Sequence, residues 1–379
     1  MKIVVACDSF KGCLTSEEVA DTVEKAIHQV DPAIEVLKFL SGDGGEGTMR
    51  AFVKACGGFY VETTCRDTYG KKIKTRFALI EKEATAIVEV ASILGLNMYA
   101  REKRAPLYSS SYGVGQVLLA AKHRGAKKII LALGGSGNAD GGMGMLEALG
   151  MRFYDEHHHY LKGMTCNLEK IAWIDDSLLE TFSDIECIAA YDVQNVLLGK
   201  EGATYLYGKQ KGLYPNQIKR VEKGMVHFCE KMKKLNYDLN AYDSGGACGG
   251  LSAIFQAVCH AKSISGLQLL FSYNHIEDAI AQCDLVITGE GQSDYQTKYG
   301  KVPSGIVAVA NRHQKPCICI SGALGLQYKE LYELGFIGIY SVADRAMSFQ
   351  QALEQAREKL ESAVYSIIKT ISYYAKKEQ

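Results

Sequence analysis

The stretch DLVITGEGQSDYQTKYGK, residues 284–301, joins the apolar run Leu285 to Thr288 to a loop rich in glycine and acidic side chains. The apolar run has the length of a buried strand, and the glycines after it are typical of a turn into a helix. Three other segments repeat this design, namely CDSFKGCLTS (7–16), SGDGGEGT (41–48) and GGSGNADGGMG (134–144). The repetition predicts an α/β protein with mostly parallel sheet.

The region from residue 59 to residue 92 has a different pattern. Phe59 to Thr64, Ile73 to Ile80 and Thr85 to Val90 are typical of antiparallel strands. Because 379 residues exceed what one core usually supports, we expect two domains. The expected ranges are 1–62 with 284–379 for a discontinuous parallel-sheet domain, and 63–283 for an inserted mixed α/β domain. The strands near 285, 317 and 337 should then rejoin the first sheet, and one long helix should run from Ser348 to about Ala375.

Composition excludes several classes of protein. Lys and Arg number 43, as do Asp and Glu, so the net charge is zero. Nucleic-acid binders normally carry a basic excess, and we expect no such partner. The N-terminal MKIVVACDSF is not typical of a signal peptide, and no stretch approaches the roughly 18 apolar residues of a membrane helix. We therefore expect a cytoplasmic protein with no membrane contact.

The four glycine-rich loops predict a phosphate site. Ligands of open α/β sheets bind at the carboxyl ends of strands, where helix N-termini attract anions. Acidic side chains beside the glycines suggest Mg²⁺ in addition to phosphate. The P-loop pattern is absent, because Gly300-Lys301 is followed by Val302, and the dinucleotide pattern G-x-G-x-x-G is absent as well.

The order of these motifs through the whole chain resembles the bacterial glycerate kinase family, the type without a P-loop. The motifs that carry the resemblance are DSFKG (8–12), DGGEGT (43–48), EVAS-x-x-GL (89–96), R-x-P (104–106), SYGVG (111–115), GGS…DGG (134–142), DVQN (192–195), QKG (210–212) and DLVITGEG (284–291). The resemblance implies a Rossmann-like domain interrupted by a second α/β domain. It also implies phosphorylation of D-glycerate by ATP and Mg²⁺, with 2-phosphoglycerate favoured over 3-phosphoglycerate as the product.

The expected roles follow from the chemistry of phosphoryl transfer, which needs positioning and charge neutralisation. Catalytic roles are expected for Asp192 as the base and for Lys11 and Asp43. The residues expected to bind substrate or nucleotide are Asp8, Ser9, Gly44, Gly45, Glu46, Gly134, Gly135, Ser136, Asp140, Glu290, Asp294 and Lys301. The residues expected to hold Mg²⁺ are Asp8, Asp43 and Glu290.

The chain departs from the family pattern at several positions. Ala139 stands where the family has asparagine, with Asn138 one position earlier. Gln292 replaces an arginine, and Ser244 lies in a run that is normally rich in glycine. The first two changes remove polar or charged groups from loops expected to face ligand.

These departures keep alternatives open. A kinase of another small hydroxy acid is the second hypothesis. A non-catalytic regulator that binds glycerate or nucleotide is the third, and the set of acidic groups beside the loops argues against it. A dehydrogenase is disfavoured by the missing dinucleotide pattern. Whether the protein forms a homodimer stays open at this stage.

Overall fold

The computed structural model describes residues 1–10, 12–40, 44–191, 195–298, 300–375 and 377. The predicted catalytic residues Lys11, Asp43 and Asp192 lie outside the described residues. The strands, in chain order, are β1 (Lys2–Cys7), β2 (Glu35–Lys38), β3 (Phe59–Arg66), β4 (Lys72–Ile80), β5 (Thr85–Glu89), β6 (Lys128–Ala132), β7 (Arg152–Tyr154), β8 (Tyr160–Leu161), β9 (Trp173–Asp175), β10 (Glu186–Tyr191), β11 (Lys262–Ser265), β12 (Leu285–Ser293), β13 (Cys317–Leu324) and β14 (Gly338–Ser341).

The α-helices are joined to these strands by turns and short 3₁₀ segments. They are α1 (Ser16–Val30), α2 (Thr48–Cys56), α3 (Ala91–Leu94), α4 (Tyr112–His123), α5 (Met143–Ala148), α6 (Ala203–Lys211), α7 (Pro215–Lys233), α8 (Leu251–Cys259), α9 (Gly266–Asn274), α10 (Ile276–Ala281), α11 (Val302–Arg312), α12 (Phe349–Glu354) and α13 (Ala356–Ala375). Among the described residues, no helix combines the length and the apolar character needed to cross a membrane.

The first of two compact units comprises Met1–Asp43 and Leu267–Gln379. Its sheet has the strand order β14-β13-β12-β1-β2, and all neighbouring strands are parallel. Alternate residues of a strand face opposite sides of a sheet, so each strand supplies two cores. Ile318 and Ile320 of β13 pack on the α1 and α13 side, whereas Cys317 and Cys319 pack on the α10 and α11 side.

The second unit comprises Gly44–Gly266 and contains a sheet of order β11-β10-β6-β5-β4-β3. Strands β11, β10, β6 and β5 are parallel to one another, whereas β4 and β3 are antiparallel. The β3–β4 hairpin closes through Asp67, whose carboxylate accepts bonds from the N–H groups of Tyr69 and Lys71. A separate antiparallel sheet has the order β8-β7-β9.

These observations confirm the predicted fold class, a Rossmann-like parallel-sheet unit interrupted in the chain by a mixed α/β unit. The return of the strands near 285, 317 and 337 to the sheet of β1 is also confirmed. Compared with the expected domain ranges, the two units assign residues 44–62 and 267–283 differently. The ranges expected from the sequence stay a prediction.

Two expected elements differ from the structure. The strand at Leu285 continues to Ser293, because Gln292 and Ser293 still pair with β13. The prediction of a single closing helix is wrong, because α12 ends at Glu354 and a separate helix, α13, starts at Ala356. The first helix agrees with the prediction over Ser16–Val30, including its capping box.

That capping box yields a stability prediction. The Thr15 hydroxyl accepts a bond from the Glu18 N–H at 3.2 Å, and the Glu18 carboxylate accepts one from the Thr15 N–H at 2.9 Å. We expect Thr15→Ala to lower the free energy of unfolding by about 1 kcal/mol, since it orphans an N–H group of the first turn. Urea unfolding followed by circular dichroism measures the change. Thr370→Ala, an exposed position on α13, is the control, and an equal loss there would contradict the assignment.

Candidate functional site

Two glycine-rich loops of the second unit meet at the carboxyl ends of β6 and β10. The N–H of Gly134 donates to the carbonyl oxygen of Gly44 at 2.7 Å. A Cβ added to Gly134 would lie 2.6 Å from the Cα of Gly45, and one added to Gly44 would lie 2.9 Å from the carbonyl oxygen of Ala190. Gly44 also has φ +74, a conformation that favours glycine. The two loops can therefore approach this closely only as glycine backbone.

A buried carboxylate lies beneath the first of these loops. Glu89, the last residue of β5, is 6% exposed, and its Oε2 accepts bonds from the N–H groups of Gly47 at 3.2 Å and Met49 at 3.1 Å. These N–H groups belong to the N-terminus of α2, which favours negative charge. The sequence predicts that such an N-terminus is open to a ligand anion. Here a side chain of the protein already occupies it.

Glu89 titrates in an unusual range. Burial raises its pKa from 4.5 to about 6, and the nearby charge of Glu46 adds to the rise. The N–H groups of Met49 and Gly47 and the charge of Arg76 act in the opposite direction. Perturbed carboxylates at strand ends are typical of functional sites. Glu89 is therefore a candidate site residue that we did not assign from the sequence, although it begins the EVAS motif.

The second loop, Gly134 to Gly142, is held from inside by Asp140. The Asp140 side chain is fully buried, and its Oδ2 accepts bonds from the N–H and hydroxyl of Ser111 at 2.7 Å each and from the N–H of Gly144 at 3.0 Å. Its Oδ1 accepts bonds from the side chain of Asn138 at 3.0 Å and the N–H of Gly142 at 3.4 Å. A carboxylate with these donors fixes the loop, and contact with a ligand would require it to give bonds up.

The predicted ligand residues of this unit differ in accessibility. Gly135 and Glu46 are exposed, whereas Ser136 is 7% exposed and lies near the ammonium group of Lys211. The backbone at 135–137 is bonded to the segment after β5, because the N–H of Leu96 donates to Gly135 and that of Gly137 donates to Leu94. The structure thus brings Gly44, Gly45 and Gly134 together and leaves the exposed face of the loop at Gly134 and Gly135.

Ser244, one of the departures from the family pattern, has a structural explanation. Its hydroxyl donates to the phenol oxygen of Tyr191, which also contacts the hydroxyl of Ser263. Tyr191 ends β10, immediately before the predicted base Asp192 in sequence. A glycine at 244 would leave the Tyr191 hydroxyl without this partner.

The first unit carries a second group of predicted residues, at the carboxyl end of its parallel sheet. Cys7 of β1 pairs with Gly289 of β12, and the N–H of Asp8 donates to the Gly289 carbonyl at 2.8 Å. Asp8 and Glu290 therefore follow paired residues on neighbouring strands. The Asp8 carboxylate accepts a bond from the Ser9 N–H at 2.7 Å, and both residues are half-buried.

Glu290 is a buried acidic group of this unit that is held by three side chains. It is 4% exposed, and its Oε1 accepts bonds from the hydroxyls of Ser293 at 3.0 Å and Thr297 at 2.5 Å. Its Oε2 is 3.0 Å from the ammonium nitrogen of Lys301, the residue that precedes α11. The structure therefore brings together Glu290 and Lys301 as an ion pair. Asp294 instead caps the next turn, accepting a bond from the Gln296 N–H at 2.9 Å.

Of the two described carboxylates predicted to bind Mg²⁺, Asp8 is the better candidate ligand and Glu290 the poorer one. Mg²⁺ prefers one or two carboxylates together with substrate phosphates and water. Asp8 is half-buried at a strand end and has the chemistry of such a ligand. Glu290 already neutralises Lys301 and accepts two hydroxyl bonds, so a metal would have to displace partners. Within the described ranges, no group of three His, Cys, Asp or Glu residues is arranged to hold a metal ion.

The raised pKa of Glu89 yields a pH prediction. Its folded pKa, about 6, exceeds the ordinary value of 4.5, so the folded state binds its proton more tightly than the unfolded state. The stability contributed by that proton is complete below pH 4.5 and is lost as the pH rises through 6. As the pH rises across this window, we expect the free energy of unfolding of wild type to fall by about 2 kcal/mol more than that of Glu89→Gln.

Urea unfolding of both proteins between about pH 4 and pH 7 measures this difference. Glu62→Gln, at an exposed position on β3, is the control for losing one negative charge. If the difference in unfolding free energy between wild type and Glu89→Gln does not change with pH, the pKa of Glu89 is the same in the folded and unfolded states. That result would contradict the prediction.

Comparisons with known proteins show the family to which the chain belongs. Residues 3–372 match the glycerate kinase family. A glycerate kinase of Halalkalibacterium halodurans is 34% identical over 96% of this chain and 97% of its own length, and a glycerate 2-kinase of Escherichia coli K12 is 33% identical over 98% of both. A crystal structure assigned provisionally as glycerate kinase 2 from Salmonella typhimurium LT2 superposes with a TM-score of 0.84, at 34% identity and 99% coverage of both chains. The chain therefore belongs to the glycerate kinase family and is a phosphotransferase.

Proposed function

We propose that this protein phosphorylates D-glycerate with ATP, and that 2-phosphoglycerate is favoured over 3-phosphoglycerate. The observation that supports this most is the contact of the Gly44 and Gly134 loops at the carboxyl edge of the second sheet. Glycine backbone at strand ends offers N–H groups to phosphate without steric hindrance. In a member of the glycerate kinase family, that chemistry matches a phosphoryl donor and a small acidic acceptor.

The proposed roles divide the predicted residues by accessibility. Gly135 and the half-buried Gly134 present backbone to phosphate oxygens, with the Ser136 hydroxyl behind them, whereas Gly44 and Gly45 are buried and pack against Gly134. Asp140 holds the loop from inside and does not itself line the ligand, because its oxygens are already bonded. Asp192 accepts the proton of the glycerate hydroxyl, and Lys11 binds transferring phosphate or the glycerate carboxylate.

The remaining acidic groups are assigned to metal and to substrate. Asp8 and Asp43 would hold Mg²⁺, which when bound neutralises charge on the phosphate oxygens. Glu290 would hold Lys301 in place through their ion pair, so that Lys301 is fixed for an anionic group. Ser9, Glu46 and Asp294 would bind substrate or nucleotide through their polar side chains.

A second candidate, a kinase for another small hydroxy acid, is favoured by Gln292. Gln292 is exposed, two residues after Glu290, and the family has an arginine at this position. Its amide nitrogen lies 3.4 Å from the Asp294 carboxylate. Ala139 gives this alternative less support, because its side chain is only 7% exposed. The side chain of Asn138, one position earlier, bonds to Asp140 and to the Cys248 carbonyl, so an amide is still present inside the loop.

An assay with purified protein tests the proposal. ADP release is measured with Mg·ATP and D-glycerate, tartronate or D-lactate, and phosphorus NMR identifies the product. We expect release that depends on D-glycerate and a product phosphorylated at the 2-hydroxyl. Faster turnover of tartronate or lactate would favour the second candidate and make Gln292→Arg the first variant to assay. The absence of turnover with all three acids, from folded protein that binds ATP, would contradict both.

The proposed base gives a further prediction. Asp192→Asn keeps size and polarity but cannot accept a proton, so we expect kcat to fall by about 10² or more with a small change in KM. Asp184→Asn, at an exposed position before β10, is the matched control and should retain activity. Near wild-type kcat in folded Asp192→Asn would assign proton transfer to another group, and Glu89 would then be the next to test.

A further inference from the structure

Lys211 is a buried lysine that the proposed roles above leave unused. It ends α6, and the whole residue is 7% exposed. Its ammonium group donates to the carbonyl oxygen of Asn138 at 2.6 Å and lies 3.5 Å from the hydroxyl of Ser136. Lysine is almost never buried to this extent unless it is paired. Both contacts of Lys211 are with the loop that carries Gly134, Gly135 and Ser136.

The charge of Lys211 has no direct counterion among the described residues. Its two hydrogen bonds there go to a hydroxyl and a carbonyl oxygen and not to a carboxylate. The nearest negative group reached through hydrogen bonds is Asp140, and Asn138 links the two, with its carbonyl bonded to Lys211 and its amide bonded to Asp140 at 3.0 Å. Burial lowers the pKa of Lys211, against the charges of Cys248 and Asp140. An ammonium in this setting retains unsatisfied affinity for an anion.

Close packing fixes the position of the Lys211 ammonium. Cys248 has φ +57 and Gly249 has φ +66, so the backbone turns sharply beside it. A Cβ added to Gly249 would lie 3.0 Å from the Lys211 ammonium nitrogen and 2.4 Å from the Asn138 carbonyl oxygen. A left-handed conformation at a residue other than glycine costs free energy, and such positions cluster at functional sites. The Cys248–Gly249 turn thus confines Lys211 against the loop.

We propose that Lys211 is a positioning residue of the phosphate loop, where its buried charge, acting through Ser136 and Asn138, holds the loop and increases its affinity for a phosphate anion. This inference rests on the proposed function, in that the loop is taken to bind phosphate groups. Charge acts strongly here, because interactions are screened less in a buried site than in water. The ligand class is a nucleoside polyphosphate or its inorganic equivalent.

The test compares Lys211→Met, Lys211→Gln and Lys211→Arg with Lys209→Met, an exposed lysine of the same helix. Binding of sodium pyrophosphate and of ADP is measured by titration calorimetry, and folding is checked by circular dichroism and thermal unfolding. We expect Met and Gln at 211 to weaken both ligands about tenfold or more, since a buried charge is lost. Arg should restore most of the affinity, and Lys209→Met should bind within about twofold of wild type.

Three outcomes would contradict the inference, and a fourth would contradict only the proposed function. Wild-type affinity in folded Lys211→Met or Lys211→Gln would show that the charge does not act on the anion. An equal loss in Lys209→Met would indicate a general effect of positive charge. If neither neutral variant folds while Lys209→Met does, Lys211 serves folding alone. Wild type that binds pyrophosphate but does not phosphorylate glycerate would contradict the proposed substrate and leave the role of Lys211 standing.

Discussion

The arrangement of the candidate site in the second unit depends on the close approach of two backbones, where the N–H of Gly134 donates to the carbonyl of Gly44. No side chain can be accommodated between them, because a Cβ on Gly134 would come within 2.6 Å of Gly45. The loops that follow β6 and precede α2 are thereby held at one edge of the sheet. The exposed residue beside this contact is Gly135, which has no side chain to cover the loop.

Three buried charged side chains stabilise the loops around this contact. Glu89 occupies the N-terminus of α2. Asp140 accepts two bonds from its own loop and three from Ser111 and Gly144, and Lys211 bonds to that loop from α6. Burying such groups is costly unless their hydrogen bonds are made. Each of them bonds chiefly to backbone or to small polar side chains of the glycine-rich segments. The site is therefore positioned by charges that lie behind it.

The sequence predicted those parts of the fold that depend on local signals. The bounds of α1 were predicted because Thr15 and Glu18 form a capping box within one turn. The end of β12 was not predicted, because Gln292 and Ser293 continue the strand only through their pairing with β13. The break after Glu354 was missed as well, because the residues on both sides of it favour helix.

For the candidate site, the glycine-rich loops could be located from the sequence, but their partners could not. Nothing near Gly134 in sequence indicates that Gly44 meets it, and nothing near Lys211 indicates that α6 buries this residue beneath the loop. Both depend on tertiary packing between distant segments. The EVAS motif was a usable signal for Glu89, since an acidic residue at the end of a buried strand lies where α/β proteins bind ligands. Lys11, Asp43 and Asp192 stay predictions of the sequence.

The most direct test of this account is the activity of Gly134→Ala beside that of Gly137→Ala. The second variant adds the same carbon to the same loop but brings it no closer than 3.3 Å to a neighbouring atom. The account predicts that Gly134→Ala folds but loses phosphoryl transfer about 10²-fold, since displacing the loops by about 1 Å misplaces the reacting groups, whereas Gly137→Ala retains most of the activity. Wild-type turnover by folded Gly134→Ala would contradict the claim that the contact between the two glycine loops builds the site.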